Sequence, residues 1–183
     1  MMWHHAAVSD GRYPAGQTAL LARVDPAQPL VEPWRLRYDP AAASGVPAHV
    51  TVLYPFLHVD RLDAATLDEL ATLFGRHATF TAYFEECRRF PGVLYLAPRP
   101  EQRFRALTGD VATRWPEAPP YEGRFADVIP HLTVADGTES DILDEIEAAL
   151  VPGLPVVASI SSVSLFVCDG QRWHERTRFP LRA

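Results

Sequence analysis

The stretch from Pro47 to Phe56, PAHVTVLYPF, sets a histidine and a threonine two residues apart inside a β-branched, apolar run. Side chains of a strand alternate with period two, so His49, Thr51 and Leu53 share one face and Val50, Val52 and Tyr54 the other. An imidazole and a hydroxyl side by side form either a partly buried polar pair or half of an active site. The chain carries a second copy: IPHLTVAD, residues 129–136, puts His131 and Thr133 at the same spacing. One such pair is weak evidence, but two copies at matching places of a repeat point to a site. Two histidines suit phosphate-ester chemistry. One neutral ring takes a proton from an attacking water or hydroxyl, and a protonated ring gives one to the leaving oxygen. An imidazole can play either part because it titrates near neutrality. Threonine hydroxyls can donate to non-bridging phosphate oxygens and stabilise the charge that develops there. This chemistry needs no metal, no cofactor and no nucleophilic serine or cysteine, and none is expected.

The elements that must position these residues can be read from periodicity. Residues 17–24 read as a first strand, and a short helix is expected around Leu30–Tyr38. After the motif strand 49–56 comes a helix over 61–76, with Leu67, Leu70, Ala71 and Phe74 on its apolar face. A long strand, 79–90, turns at Pro91-Gly92 into a return strand, 93–97. A helix over 100–115 turns Phe104, Leu107 and Val111 inward, and 116–128 reads as a loop. The second motif strand, 129–136, leads to a helix over 138–150 capped by Thr138 or Ser140, with Ile142, Leu143, Ile146 and Leu150 as its apolar face. One long strand over 155–167, an Asp169-Gly170 turn and a return over 172–181 complete the chain. The halves agree in order: motif strand, helix, long strand, turn, return. The histidines lie 82 positions apart and the turn glycines 78. Packed about a pseudo-two-fold axis, such units would face both motif strands onto one cleft.

The 183 residues suffice for one bilobal α+β domain over 17–183, with 1–16, including His4 and His5, as a loose leader. That N-terminus lacks the cationic and apolar regions of a secretory signal, and no apolar run is long enough to span a membrane. Cys87 and Cys168 lack C-x-x-C spacing and read as reduced, buried thiols of a cytoplasmic protein. The net charge of −6 disfavours an extended nucleic-acid surface. All 17 basic residues are arginine. A P-loop lysine and a lysine–nucleotidyl intermediate are therefore excluded, and with them any ATP-dependent ligase built on those devices. Positive charge at a cleft must come from arginines; Arg99, Arg103, Arg105 and Arg124 are candidates, Arg124 first because it sits in the loop before the second motif. Tyr54 and Tyr121 are candidates to contact a base, whereas Phe56 and Phe125 read as packing residues. His58, His77 and His174 have no repeat partner and read as surface or structural; Trp115 and Trp173 read as packing.

The two tetrapeptides, His49-Val50-Thr51-Val52 and His131-Leu132-Thr133-Val134, together resemble the 2H phosphoesterase superfamily, which includes the bacterial 2′-5′ RNA ligase (RNA 2′,3′-cyclic phosphodiesterase) family. The resemblance runs from about residue 17 to the end. It implies two similar lobes of antiparallel sheet plus helices around a central cleft. It also implies opening of 2′,3′-cyclic phosphates to 2′-phosphates, or cleavage or joining of 2′,5′-linked ends, without metal or ATP. Carried over, His49 and His131 are acid and base, and Thr51 and Thr133 hold the phosphate. A basic residue often follows the second motif in relatives; here Ala135-Asp136 does. With the acidic net charge, this favours a small nucleotide or an RNA end carrying a cyclic phosphate or 2′,5′ linkage, bound by a monomer. A nucleotide-binding module without turnover is the rival reading.

Overall fold

In the computed structural model, which describes residues 13–183, the strands form two four-stranded antiparallel sheets. The first holds β1 (Thr18–Arg23), β2 (His49–Leu53), β7 (Ser162–Cys168) and β8 (Trp173–Pro180) in the order β2-β1-β7-β8. The second holds β3 (Phe80–Phe90), β4 (Val93–Arg99), β5 (Leu132–Asp136) and β6 (Val156–Ile160) in the order β5-β4-β3-β6. Each motif strand, β2 and β5, is the edge of its sheet, and the two edges pack against each other. The expected histidine and leader residues before 13 lie outside the described residues. Tyr13 itself packs edge-on against Trp173, with ring centroids 5.3 Å apart.

Among the described residues five α-helices accompany the sheets: α1 (Gln28–Tyr38), α2 (Pro40–Ala43), α3 (Ala64–Phe74), α4 (Glu101–Arg114) and α5 (Ser140–Leu150). Their apolar faces and one face of both sheets share a continuous hydrophobic core. Leu20, Val50, Val52, Phe84, Leu96, Phe104, Leu132 and Ile146 all belong to it. Phe104, Leu107 and Val111 of α4 are fully buried, as their spacing requires. Two details differ from the periodicity. Ala71 of α3 is exposed, and Leu73 packs on the core instead. At α5 the N-cap is Glu139, which makes no side-chain cap bond, so neither Thr138 nor Ser140 caps the helix.

The expected long strand 155–167 is two strands. β6 pairs with β3 in the second sheet and β7 with β1 in the first, so the chain crosses between sheets at Ser161. The inward-facing positions shift in step: Val156, Ala158 and Ile160 before the crossing, Val163 and Leu165 after it. Each sheet consequently draws strands from both halves of the chain. The return strands are not equivalent either. β4 lies inside its sheet beside β5, whereas β8 is the outer edge of the other. The turn glycines do correspond: Gly92 and Gly170 both take the left-handed backbone, at φ 74° and 97°, that a Cβ disfavours.

The helices cross between lobes in a reciprocal way. α1, which leads into β2, packs on β5, and α4, which leads into β5, packs on β2. The α4 contact includes a buried hydrogen bond from the Thr108 hydroxyl to the Val52 carbonyl, 2.7 Å long. Each motif strand is therefore braced by the helix of the opposite motif, which keeps the two edges together.

Candidate active site

β2 alternates as its sequence requires. Val50 and Val52 are buried in the core, while His49 and Thr51 remain partly exposed on the other face. β5 repeats the pattern, with Leu132 and Val134 buried and His131 and Thr133 partly exposed. Because the two edges pack against each other, both polar pairs come to one place, and His131 bears on the titration of His49.

Both histidines are held alike. His49 Nδ1 lies 2.7 Å from the Pro47 carbonyl oxygen, and His131 Nδ1 lies 2.7 Å from that of Ile129. A carbonyl only accepts, so each neutral ring carries its proton on Nδ1 and leaves Nε2 as an acceptor. The surroundings differ. Burial pushes His49 down to about 3, assisted by the Arg35 cation and by His131. Burial also lowers His131, but the carboxylates of Asp136 and Asp39 pull the other way. The His131 ring meets Phe90 and Tyr95 edge-on, at 5.3 and 5.5 Å between centroids, and those two rings stack at 4.4 Å. In the sheet Tyr95 is the partner of Thr133, as Leu21 is of Thr51.

The loop 116–128 crosses this region. Tyr121 donates its backbone N–H to the Tyr54 carbonyl, and the Thr51 hydroxyl bonds to its side chain. Tyr121 and Glu122 hold the left-handed backbone, at φ 50° and 57°, unusual for residues with a Cβ. Tyr121 is thus brought to the site. Tyr54 is engaged within the protein: its hydroxyl donates to Gln17 at 2.9 Å, and its ring joins Tyr13 and Trp173 in a small second cluster that also holds Leu21, the strand partner of Thr51. Arg124 is exposed and paired with Glu122. Arg99 pairs with Glu85 and Glu86, and Arg105 with Glu101 and Asp127. The buried cation beside the site is Arg35, on α1, which the linear sequence did not single out. Phe90 and Tyr95 were missed as well. Their only sequence signal is register with the second motif, which needs the pairing of β3, β4 and β5.

Among the described residues no group of three or more His, Cys, Asp or Glu side chains is placed to hold a metal ion. None of their helices is long and apolar enough to cross a membrane. Both cysteines are free thiols, Cys168 buried and Cys87 half-buried.

The sequence model of the 2′-5′ RNA ligase superfamily matches residues 23–172, which include both motifs. The chain belongs to that superfamily. The two His-x-Thr strands on facing sheet edges are where this 2′-5′ RNA ligase superfamily member differs from an ordinary two-sheet core. Solved structures share its fold. E. coli LigT crystallised with 3′-AMP superposes with a TM-score of 0.60 at 17% identity, covering 93% of this chain and all of LigT. A crystallised phosphoesterase gives 0.59 at 16% identity, over 93% of this chain and all of its own. The Thermus thermophilus protein TT0787 gives 0.52 at 16%, over 91% of this chain and 98% of its own. No curated protein sequence matches the chain.

Proposed function

We propose that this superfamily member is a metal- and ATP-independent phosphodiesterase that opens 2′,3′-cyclic phosphates, at RNA ends or on small nucleotides, to 2′-phosphates. The same site would serve the joining of 2′,5′-linked ends. The observation that carries the reading is the doubled unit itself: two rings with Nε2 unengaged by the backbone, on two packed sheet edges, each with a threonine hydroxyl beside it. In this reading one neutral Nε2 accepts a proton from water as the water oxygen attacks phosphorus. The P–O3′ bond breaks, and the other histidine, as imidazolium, delivers its Nε2 proton to O3′. One water is consumed, and the two rings exchange protonation states. Thr51 and Thr133 donate to the non-bridging oxygens as negative charge builds on them. Attack by a 5′-hydroxyl in place of water forms the 2′,5′ linkage with the same acid and base. Crystals of LigT with 3′-AMP, ATP and phosphate support a nucleotide or phosphate ligand for this chain also.

The rival, a binding module without turnover, draws on one observation: burial lowers the titration of both rings, which disfavours the imidazolium that the acid step needs. Phosphorus NMR of chelator-treated protein with nucleoside 2′,3′-cyclic phosphates decides. Formation of the 2′-monophosphate alone, lost in His49→Ala and in His131→Ala, is expected. No product from these substrates or from 2′,5′-linked oligonucleotides, with phosphate still bound, would replace the enzyme by the binding module.

A further inference from the structure

Arg35 is 1% exposed, a position that guanidinium groups seldom occupy without a purpose. Its Nε and Nη2 donate to one carboxylate oxygen of Asp39, at 3.1 and 2.8 Å. Its Nη1 donates to the Val46 carbonyl at 3.2 Å. The second oxygen of Asp39 accepts the Ala41 N–H at 3.0 Å and so starts α2. A buried ion pair is a poor source of stability, since an apolar pair of similar volume does as well or better. Its placement is informative instead. α1 lies against β5, and the Val46 carbonyl that Arg35 grips stands three residues before His49. The intervening Pro47 supplies the carbonyl that orients the His49 ring.

The pair is polarised across the site. The charged groups that bear on His49 are Arg35 from α1 and His131 just before β5, and neither is an anion. Those that bear on His131 are Asp136, at the end of its own strand, and Asp39, at the junction of α1 and α2. The aromatic rings packed on His131 are the uncharged ones of Phe90 on β3 and Tyr95 on β4. We propose that the Arg35–Asp39 pair is the positioning device that assigns the two roles: its cation reserves His49 as proton acceptor, and its carboxylate favours His131 as proton donor. This rests on the reading above, in which both rings exchange protons with substrate.

The test is a pH titration of the imidazole nitrogens by ¹⁵N NMR on the full chain, with each ring assigned through its His→Gln variant. Wild type should protonate His131 at higher pH than His49. In Arg35→Leu/Asp39→Asn the His49 midpoint should rise and the His131 midpoint fall, closing the gap by about two pH units, about one for the charge lost beside each ring. Asp39→Asn alone, which keeps the Arg35 cation and an acceptor for Ala41, should lower the His131 midpoint without raising that of His49. It should also reduce kcat more than it changes KM. A folded variant with an unchanged gap would make the pair purely structural and overturn the assignment. The titration does not depend on turnover. A gap that narrows in a protein inactive on every cyclic phosphate would keep the electrostatic role and remove the proposed activity.

Discussion

His49 and His131 make the same hydrogen bond at the same length, Nδ1 to the carbonyl oxygen two residues upstream, 2.7 Å in both. The bond is local to each motif, so it forms whenever the strand begins where it does. It fixes the tautomer and turns both Nε2 atoms to the same use. Long-range ¹⁵N–¹H NMR at neutral pH should show both rings protonated on Nδ1. A ring carrying its proton on Nε2 would remove it as an acceptor.

Loss of either imidazole should cost general acid or base assistance, about 10²–10⁴-fold in kcat/KM. His49→Ala and His131→Ala should keep the fold, because neither side chain belongs to the hydrophobic core. The double variant should be little slower than either single one, since the two rings act in one step.

Thr51→Val and Thr133→Val preserve shape and remove one donor each. If the hydroxyls meet charge in the transition state, kcat falls by about 10²–10³-fold while KM moves little. Thr51→Val should have the further effect of loosening the Tyr121 loop, whose side chain it holds. Proteolysis of 116–128 should therefore be faster in Thr51→Val than in Thr133→Val.

The displaced titration of His49 ties stability to pH. Its folded-state value is pushed from 6.5 down to about 3, so the unfolded chain binds more protons between those limits. Stability therefore rises with pH through that window and is lost as pH falls from about 6.5 towards about 3. His131 shifts in the same direction. Urea midpoints should drop on acidification, and drop less in His49→Gln; equal slopes in the two proteins would contradict the shift.

The brace from α4 to the first motif can be separated from the chemistry. Thr108→Val removes the 2.7 Å bond to the Val52 carbonyl and leaves a buried acceptor, at a cost of about 1–3 kcal/mol. Calorimetry should show a lower Tm with the KM for substrate nearly unchanged.

Most elements were legible because one face of each is buried, and burial imposes a period. Phe104, Leu107 and Val111 announced α4, and Ile142, Leu143, Ile146 and Leu150 announced α5. The strand over 155–167 misled because apolar content runs on unbroken, although the change of inward parity about Ser161 marks the crossing between sheets. Caps were less legible, since Glu139 holds the N-cap of α5 between two better capping residues. Of the candidate contacts, Tyr121 reaches Thr51 while Tyr54 bonds to Gln17 and packs with Tyr13 and Trp173. Spacing alone cannot make that distinction, because it depends on how a loop crosses a strand far away in the chain.

What the sequence determined by itself is the doubled His-x-Thr strand, its alternation and the local bond that orients each ring, since all of these depend on neighbours a few residues away. Only the tertiary structure decided that the motif strands are edges that meet, that each is braced by the other's helix, and that Arg35 and Asp39 come beside them. Those relations join residues distant in the chain through burial and strand pairing. Two rings set in matching His-x-Thr motifs thereby acquire different electrostatic surroundings.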